Sequence, residues 1–292
     1  MNSSQWYVLM AAVLWGTTGT AQALAPAGAP PLAVGAVRLA IGGGALLLWA
    51  WGRGRLGDGR AWHKRPLLLG ALAVAAYQPF FFGGVARTGV AVGTLVAIGS
   101  APMIAGLWQW GVGGVRPSAR WLTATGCAVA GCSVLALSGS EVRVNASGLL
   151  LALAAGGSYA LFALMTKELL ADHAPEAATA VVFSLGAIFL LPLLLFIDIS
   201  WLARPSGLTA AVWLGLAATA LAYLLYTRGL AHIPVATAVT LSLAEPLTAS
   251  LLGIFLLGET VNAALLIGMT LIFAGLLILS AAPPMRVSAS GG

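Results

Sequence analysis

The sequence predicts an all-α integral membrane protein with ten transmembrane helices, arranged as two inverted five-helix repeats around a central cavity. The prediction depends on composition, on the recurrence of long apolar segments and on an internal repeat. Apolar residues make up 60% of the 292 residues and charged residues only 8%, whereas soluble proteins are about half apolar and about a quarter charged. A chain of this composition is expected to lie in lipid.

The apolar segments recur with short breaks, and each has the roughly 20 residues that cross a hydrocarbon core about 30 Å thick. Because the lipid interior offers no partners to backbone polar groups, each segment is expected to be a helix. The ten predicted spans are 4–24, 31–51, 66–86, 91–112, 119–137, 147–167, 176–197, 209–229, 235–257 and 260–281.

The same sequence pattern recurs about 144 positions later without a gap. Alanine and leucine coincide easily by chance in so apolar a chain, so the coinciding prolines and glycines are the main evidence for the repeat. The coinciding pairs are Pro31 with Pro175, Gly42 with Gly186, Pro102 with Pro246, and Gly131 with Gly275. We place the repeats at 1–140 and 146–282, followed by a short cytoplasmic tail at 283–292. Such duplication is typical of secondary transporters, because two copies can rock about a site held between them.

The Lys and Arg residues between the spans predict the orientation. They are concentrated in the even-numbered connections, above all between the second and third spans, at Arg53, Arg55, Arg60, Lys64 and Arg65. Since cytoplasmic loops carry the excess positive charge, both termini are expected in the cytoplasm. Five spans per half then make the repeats inverted. This topology accounts for the net charge of +6, and nucleic-acid binding is not expected, because no binding fold surrounds the basic residues.

The sequence carries no cofactor or metal signature. Cys127 and Cys132 are five apart on one predicted helix and point away from each other, and His63, His173 and His232 lie far apart near loops. No phosphate-binding GxxxxGK[ST] motif occurs. We therefore predict no cofactor, no metal and no enzymatic activity. Energy for transport is expected from an ion or solute gradient or from an external partner.

Arg38 in the second span and Glu245 in the ninth are the only charged residues deep inside predicted spans. A charge at this depth costs roughly 3 kcal/mol, so it faces protein or water and usually has a partner. Arg38 is a candidate anchor for a substrate, and Glu245 is a candidate site for proton or cation coupling. The alternative is that each is a structural link, to backbone carbonyls or to the other.

Pro102 and Pro246 are repeat mates in the fourth and ninth spans. A proline inside a helix frees a backbone carbonyl and permits a bend. We therefore predict that the fourth and ninth spans form the gating pair, with these prolines as hinges. A static kink that only shapes the packing is the alternative.

Aromatic and amide side chains are predicted to surround a central cavity. Trp15 and Tyr159 are repeat mates, and Trp15 lies at mid-depth in the first span. Tyr77 and Gln78 in the third span and Tyr223 in the eighth add aromatic faces and hydrogen-bonding groups. Such a lining suits a solute with an apolar or aromatic body and a small polar head. For each residue singly, the alternative is that it only fills space between small side chains.

These residues resemble the drug/metabolite transporter superfamily in its ten-helix EamA branch. The matching motifs, which extend over the whole chain, are Leu14-Trp15-Gly16, Arg38, Pro102, Ala244-Glu245-Pro246, Leu257-Gly258-Glu259, Ile267-Gly268 and Ala274-Gly275. Within that branch the sequence is most similar to the YddG aromatic amino-acid exporters. The resemblance implies a basket-shaped bundle in a bacterial inner membrane, working in the export direction. The first half departs from the second by having Val115 where the second has Glu259.

The sequence favours a secondary transporter that exports aromatic or large neutral amino acids by alternating access, with protons or a counter-solute as coupling partners. Phosphorylated substrates would need several deep basic residues, and a dedicated cation exporter would need more than one deep acid. Two alternatives stay open. One is an exporter of lipophilic organic cations or drugs, and the other is a non-transporting membrane scaffold or lipid-handling protein.

Overall fold

The computed structural model describes residues 2–26, 28–56, 60–112, 114, 116–137, 145–258 and 261–280. The predicted tail at 283–292, the junction between the halves at 138–144, and the Val115 and Glu259 pair lie outside these residues. Within the described ranges the regular structure is helical, with no strand.

Twelve α-helices make up the spans of the described chain. They are α1 Ser3–Ala23, α2 Pro31–Gly52, α3 Lys64–Thr88, α4 Val90–Gly111, α5 Ala119–Leu137, α6 Ala146–Leu169, α7 Pro175–Leu190, α8 Pro205–Gly215, α9 Ala222–Leu230, α10 Val235–Leu241, α11 Ala244–Leu257 and α12 Ala263–Ser280. The eighth span joins α8 to α9 through a π turn at Leu216–Leu221, and the ninth span consists of α10 and α11.

The spans have the length and composition expected of a membrane protein. In the described part of the chain, nine segments, from the second span to the tenth, are long and apolar enough to cross a membrane. The first helix, α1, has 21 residues, which at about 1.5 Å per residue also matches the bilayer core. Its buried polar Gln5 is satisfied in a capping box with Asn2. The predicted all-α fold with ten membrane spans is confirmed.

Contacts between helices follow the pseudo-two-fold relation between the repeats. Repeat mates pack together across the axis, α2 against α7 and α5 against α12. The sixth span, α6, packs against α3 and α4, just as the first span, α1, packs against α9 and α11. The first and sixth spans therefore each contact two spans of the other half, which places them beside the volume between the halves.

Two glycines let α5 and α12 approach closely. A Cβ atom on Gly131 would lie 2.6 Å from the carbonyl oxygen of Gly268, and one on Gly275 would lie 2.6 Å from that of Ala124. Backbones at this separation leave no room for a side chain. The glycine pair repeated in the sequence at Gly131 and Gly275 therefore has a packing cause.

Gly131→Val is expected to lower the free energy of unfolding by about 1–3 kcal/mol, the usual cost of overpacking a filled interface. The added side chain would meet Gly268 and Ile272. Gly126→Val is the matched control on the same helix, because a Cβ atom there has open space around it. Thermal unfolding in detergent measures the difference, and equal midpoints for the two variants would contradict the packing account.

The irregular turns of the described spans lie in the second half. The seventh span ends in a 3₁₀ turn at Leu191–Leu195, the eighth contains the π turn, and the ninth breaks at Ser242 and Leu243, just before Pro246. By contrast, α4 runs unbroken through Pro102. The two repeat-mate prolines thus lie in different local structures, and the break is confined to the ninth span of that pair.

Candidate functional site

The predicted site residues meet around one cavity between the two halves. Arg38 from α2, Tyr77 and Gln78 from α3, Tyr159 from α6 and Tyr223 from α9 line it. The rest of the wall consists of Leu39, Ala73, Val74, Ser158, Phe162, Phe183 and Thr219. Their role in binding stays a prediction, but their proximity is a property of the fold.

Trp15 lies directly behind this wall and is only 6% exposed. Its ring centroid is 4.8 Å from that of Tyr223, 5.4 Å from that of Tyr226 and 6.2 Å from that of Tyr159, with the last pair perpendicular. These are the spacings at which aromatic pairs attract beyond simple burial. The repeat mates Trp15 and Tyr159 therefore belong to one aromatic cluster at the pseudo-axis.

Phe162 and Phe183 complete the cluster. The ring of Phe183 lies 4.3 Å from that of Tyr223, and the ring of Phe162 lies 5.6 Å from each of them. The sequence analysis missed these two residues. Phe162 was accessible to prediction, since it follows Tyr159 by one helical turn, whereas Phe183 enters through the packing of α7 against α9.

One end of the cavity wall is polar. Gln78 is 3% exposed, and its Oε1 atom has no hydrogen-bond partner among the described residues. It packs against α2 at Gly35, where a Cβ atom would lie 2.5 Å from Oε1. Arg38, one helical turn after Gly35 on α2, lines the same cavity as this unsatisfied acceptor. A buried acceptor without a partner calls for an explanation, and an incoming donor provides one.

Arg38 and Glu245 belong to opposite repeats, and their side chains are half-buried. The two charged groups interact electrostatically with each other and with the hydroxyl groups of Tyr77 and Tyr223. Within the described residues they form no direct salt bridge. Glu245 lies in the first turn of α11, where the helix dipole favours a carboxylate. This arrangement fits both a coupling site and a structural link, the two interpretations that the sequence left open.

The cavity is contracted in this conformation. Its volume is about 20 Å³, enough for roughly one water molecule, whereas pockets for small ligands usually have about 300–1,000 Å³. A solute of amino-acid size can therefore enter only if the walls move apart.

A second, larger cavity lies where α1 ends, α8 begins and α11 ends. Its volume is about 460 Å³. No charged side chain lines it, and the lining residues are Thr17, Thr20, Ala21, Leu24, Ser206, Thr209, Ala210, Trp213, Leu252 and Leu256. Trp213 Nε1 donates a hydrogen bond to Thr17 Oγ1 at 3.0 Å, two residues beyond Trp15. This cavity thus begins within one helical turn of the aromatic cluster along α1.

Charged side chains of the second half tie spans together at the opposite end of the bundle. Lys167 Nζ at the end of α6 donates to three carbonyl oxygens at the α9–α10 turn, those of Leu230 (2.7 Å), Ala231 (2.9 Å) and Ile233 (3.2 Å). Arg228 forms an ion pair with Glu176 at 2.6 Å. The sixth, seventh, eighth and ninth spans are therefore tied together at this end.

The connection between α2 and α3 adds contacts at the same end. Trp62 stacks on His173 with ring centroids 3.8 Å apart, and His63 Nε2 lies 3.3 Å from Asp172 Oδ2. Arg60 also donates to the Asp172 carbonyl oxygen at 2.7 Å. The basic loop of the first half is thus docked on the α6–α7 turn.

The break in the ninth span lies beside the cavity. Tyr159 and Ser242 form a hydrogen bond 2.8 Å long between their hydroxyl groups. Ser242, which the sequence analysis did not single out, is the last residue before Leu243 at the break. No single-sequence pattern distinguishes it from the other hydroxyl residues of this span.

Two interleaved halves with a buried aromatic and polar cavity between them form the arrangement expected of a membrane transporter with a central site. The chain belongs to the EamA-like transporter family, which matches it twice, at residues 2–137 and 146–281. It is a multi-pass membrane transporter of the drug/metabolite transporter superfamily and not an enzyme.

Relatives with transporter names support this assignment. The chain is 49% identical over 288 residues to the "Uncharacterized transporter YwfM" of Bacillus subtilis, covering 99% of this chain and 97% of the relative. It is 26% identical to the "Probable terminal-alkyne amino-acid exporter" of Streptantibioticus cattleyicolor, covering 96% and 94%. A solved structure titled "Crystal structure of protein" has the same fold, with a TM-score of 0.82 at 22% identity over 94% of this chain and 96% of that chain. Family membership favours transport over the scaffold or lipid-handling alternative.

Proposed function

We propose that this transporter exports aromatic or large neutral amino acids across a bacterial inner membrane, with both termini in the cytoplasm. The observation that carries the proposal is the continuity between the aromatic cluster and the polar wall formed by Arg38 and Gln78. A zwitterion with an apolar side chain matches both parts. A relative at lower identity bears the name of an amino-acid exporter.

Each chemical group of such a solute has complementary side chains in the cavity wall. The guanidinium of Arg38 can bind a carboxylate, as charge-assisted hydrogen bonds of this kind are strong and directional. The free Oε1 acceptor of Gln78 can take a donor from the ammonium group. The rings of Tyr77, Tyr159 and Tyr223 then surround the side chain. Recognition of this kind requires the contracted cavity to widen around the solute.

Alternating access supplies that widening. The charged contacts around Lys167 and Arg228 close the end that we assign to the cytoplasm, and the larger cavity lies at the other end. We propose that the solute enters when the charged end opens and leaves past Thr17 and Trp213 through the larger cavity. Because the first and sixth spans contact both halves, a rocking motion of the halves changes the space between them.

The test is efflux from proteoliposomes preloaded with labelled Phe, Thr or a quaternary ammonium cation, each with and without a pH gradient. We expect Phe to leave several-fold faster than Thr, because only Phe fills an aromatic lining. A response to the gradient would indicate proton coupling. Release of Thr at the rate of Phe in verified, folded protein would contradict the aromatic assignment.

Glu245 supports a second candidate, export of lipophilic cations. Its carboxyl group lies in the field of the central site, and a cation could bind there beside the aromatic rings through cation–π attraction. Arg38 opposes this candidate, because it places a positive charge at the same site. Efflux of the quaternary cation without efflux of Phe would support cation export over amino-acid export.

A further inference from the structure

The hydroxyl groups of Tyr159 and Ser242 are joined by a hydrogen bond 2.8 Å long. The hydroxyl of Ser242 also lies 3.1 Å from the carbonyl oxygen of Ala238. A serine hydroxyl has one hydrogen to donate, so when Ser242 donates to Ala238, Tyr159 is the donor to Ser242 Oγ. Tyr159, which belongs to the cavity wall, is thus hydrogen-bonded to the residue that directly follows α10.

The backbone bonds of the turn after α10 change their spacing. Leu243 N donates to Thr240 O at 3.1 Å and Glu245 N donates to Ser242 O at 2.9 Å, so both bonds span three residues instead of four. Pro246 has no N–H group to donate. Regular four-residue bonding reaches Ser242, whose N–H donates to Ala238 O at 3.1 Å, and changes to three-residue bonds directly after it. The bond between Tyr159 and Ser242 is a side-chain contact at this junction.

The first half has no equivalent of this arrangement. The repeat mates of Tyr159 and Ser242 are Trp15 and Ile98, and isoleucine cannot accept a hydrogen bond. The corresponding helix α4 is unbroken. Within the described residues, the bond and the break occur together in the ninth span and are both absent from the fourth.

The other end of α10 is tied to the closed end of the bundle. Lys167 donates to Ile233 O, and Gln109 Oε1 accepts from the backbone N–H of Ala236 at 2.9 Å. α10 has only seven residues, so it forms a short rigid link. Ser242 lies at its cavity end and the contacts of Lys167 lie at its other end.

We propose that Ser242 is a positioning residue that transmits occupancy of the central cavity to the closed end of the bundle. The inference rests on the proposed function, since a solute must enter the cavity. Because the cavity holds about 20 Å³, an entering solute displaces the ring of Tyr159. The displaced hydroxyl moves or releases Ser242, and α10 carries this change to the carbonyl groups that Lys167 binds.

The first experiment measures Phe efflux by proteoliposomes with Tyr159→Phe, Ser242→Ala and the double variant. Each single variant is expected to lower turnover about five- to tenfold while KM stays within about twofold. The double variant is expected to be no slower than either single one, because both remove the same bond. Ser242→Thr, which keeps a hydroxyl, should restore most of the turnover. Ser250→Ala is the matched control, because among the residues that the structure describes the Ser250 hydroxyl bonds only to the carbonyl oxygen of Pro246 in its own helix.

The second experiment follows amide hydrogen exchange of residues 238–248 without any solute. Exchange is expected to rise in Ser242→Ala and Tyr159→Phe but not in Ser250→Ala, since local opening reports the loss of a stabilising contact. Unchanged exchange in Ser242→Ala, or a double variant whose loss is the product of the single losses, would overturn the inference. If the folded wild-type protein moves no Phe, the proposed substrate is wrong, and the exchange measurement still decides whether Tyr159 fixes the break.

Discussion

Trp15→Ala is expected to raise the KM for Phe efflux about tenfold. Trp15 supports the rings of Tyr159 and Tyr223 from behind, and each such aromatic pair contributes about 0.5–1.5 kcal/mol beyond burial. Loss of two pairs therefore removes about 1–3 kcal/mol, and tenfold corresponds to about 1.4 kcal/mol. Without this support the two rings are free to turn away from the solute. The measurement is the concentration dependence of Phe efflux from proteoliposomes.

The control for this prediction is Trp108→Ala on α4, a tryptophan that is 43% exposed on the outer surface of the bundle. Trp15→Phe, which keeps a ring, is expected to lose less than Trp15→Ala. Thermal unfolding of each variant separates a lost site from a lost fold. A KM within twofold of wild type for folded Trp15→Ala would refute the role of Trp15 in the site.

The fold could be predicted from sequence because its causes are local or periodic. A segment of apolar residues must be helical in lipid, and the fixed offset between the halves implies the pseudo-symmetry that pairs α2 with α7 and α5 with α12. The proximity of Trp15 and Tyr159 follows from the same symmetry, because mates near the axis meet. Glycines such as Gly131 and Gly275 mark the close crossings.

The local distortions could not be predicted, because they depend on partners that are distant in sequence. Thr219 in the π turn bonds to the carbonyl oxygen of Leu214, and a Cβ atom on Gly42 would lie 2.6 Å from the Thr219 methyl group. The π turn therefore packs closely against α2. The prolines suggested equal bends in the fourth and ninth spans, yet α4 stays regular. What distinguishes the ninth span is Ser242 and its bond to Tyr159, which are not repeated.

Glu245→Gln is expected to abolish the response of Phe efflux to a pH gradient while exchange of Phe for Phe continues. Glutamine has the shape of glutamic acid, but its amide group cannot take up or release a proton at the pH values of the gradient. The carboxyl group of Glu245 lies in the field of Arg38 and of the cavity tyrosines, so a change in its charge alters the site that the solute occupies. Efflux with and without a gradient, together with exchange at equal pH, provides the measurement.

The outcome of Glu245→Gln distinguishes the two roles that geometry allows for this residue. If its carboxylate serves mainly as an anion at the start of α11, the variant should lose about 0.3–1 kcal/mol of helix stabilisation and retain gradient dependence in whatever protein folds. If it is the coupling group, folding is retained and the gradient dependence is lost. Glu168→Gln on the exposed end of α6 is the control, because it removes the same charge outside the cavity. Since Arg38 and Glu245 belong to opposite repeats, coupling through this pair would link the proton to the relative position of the two halves.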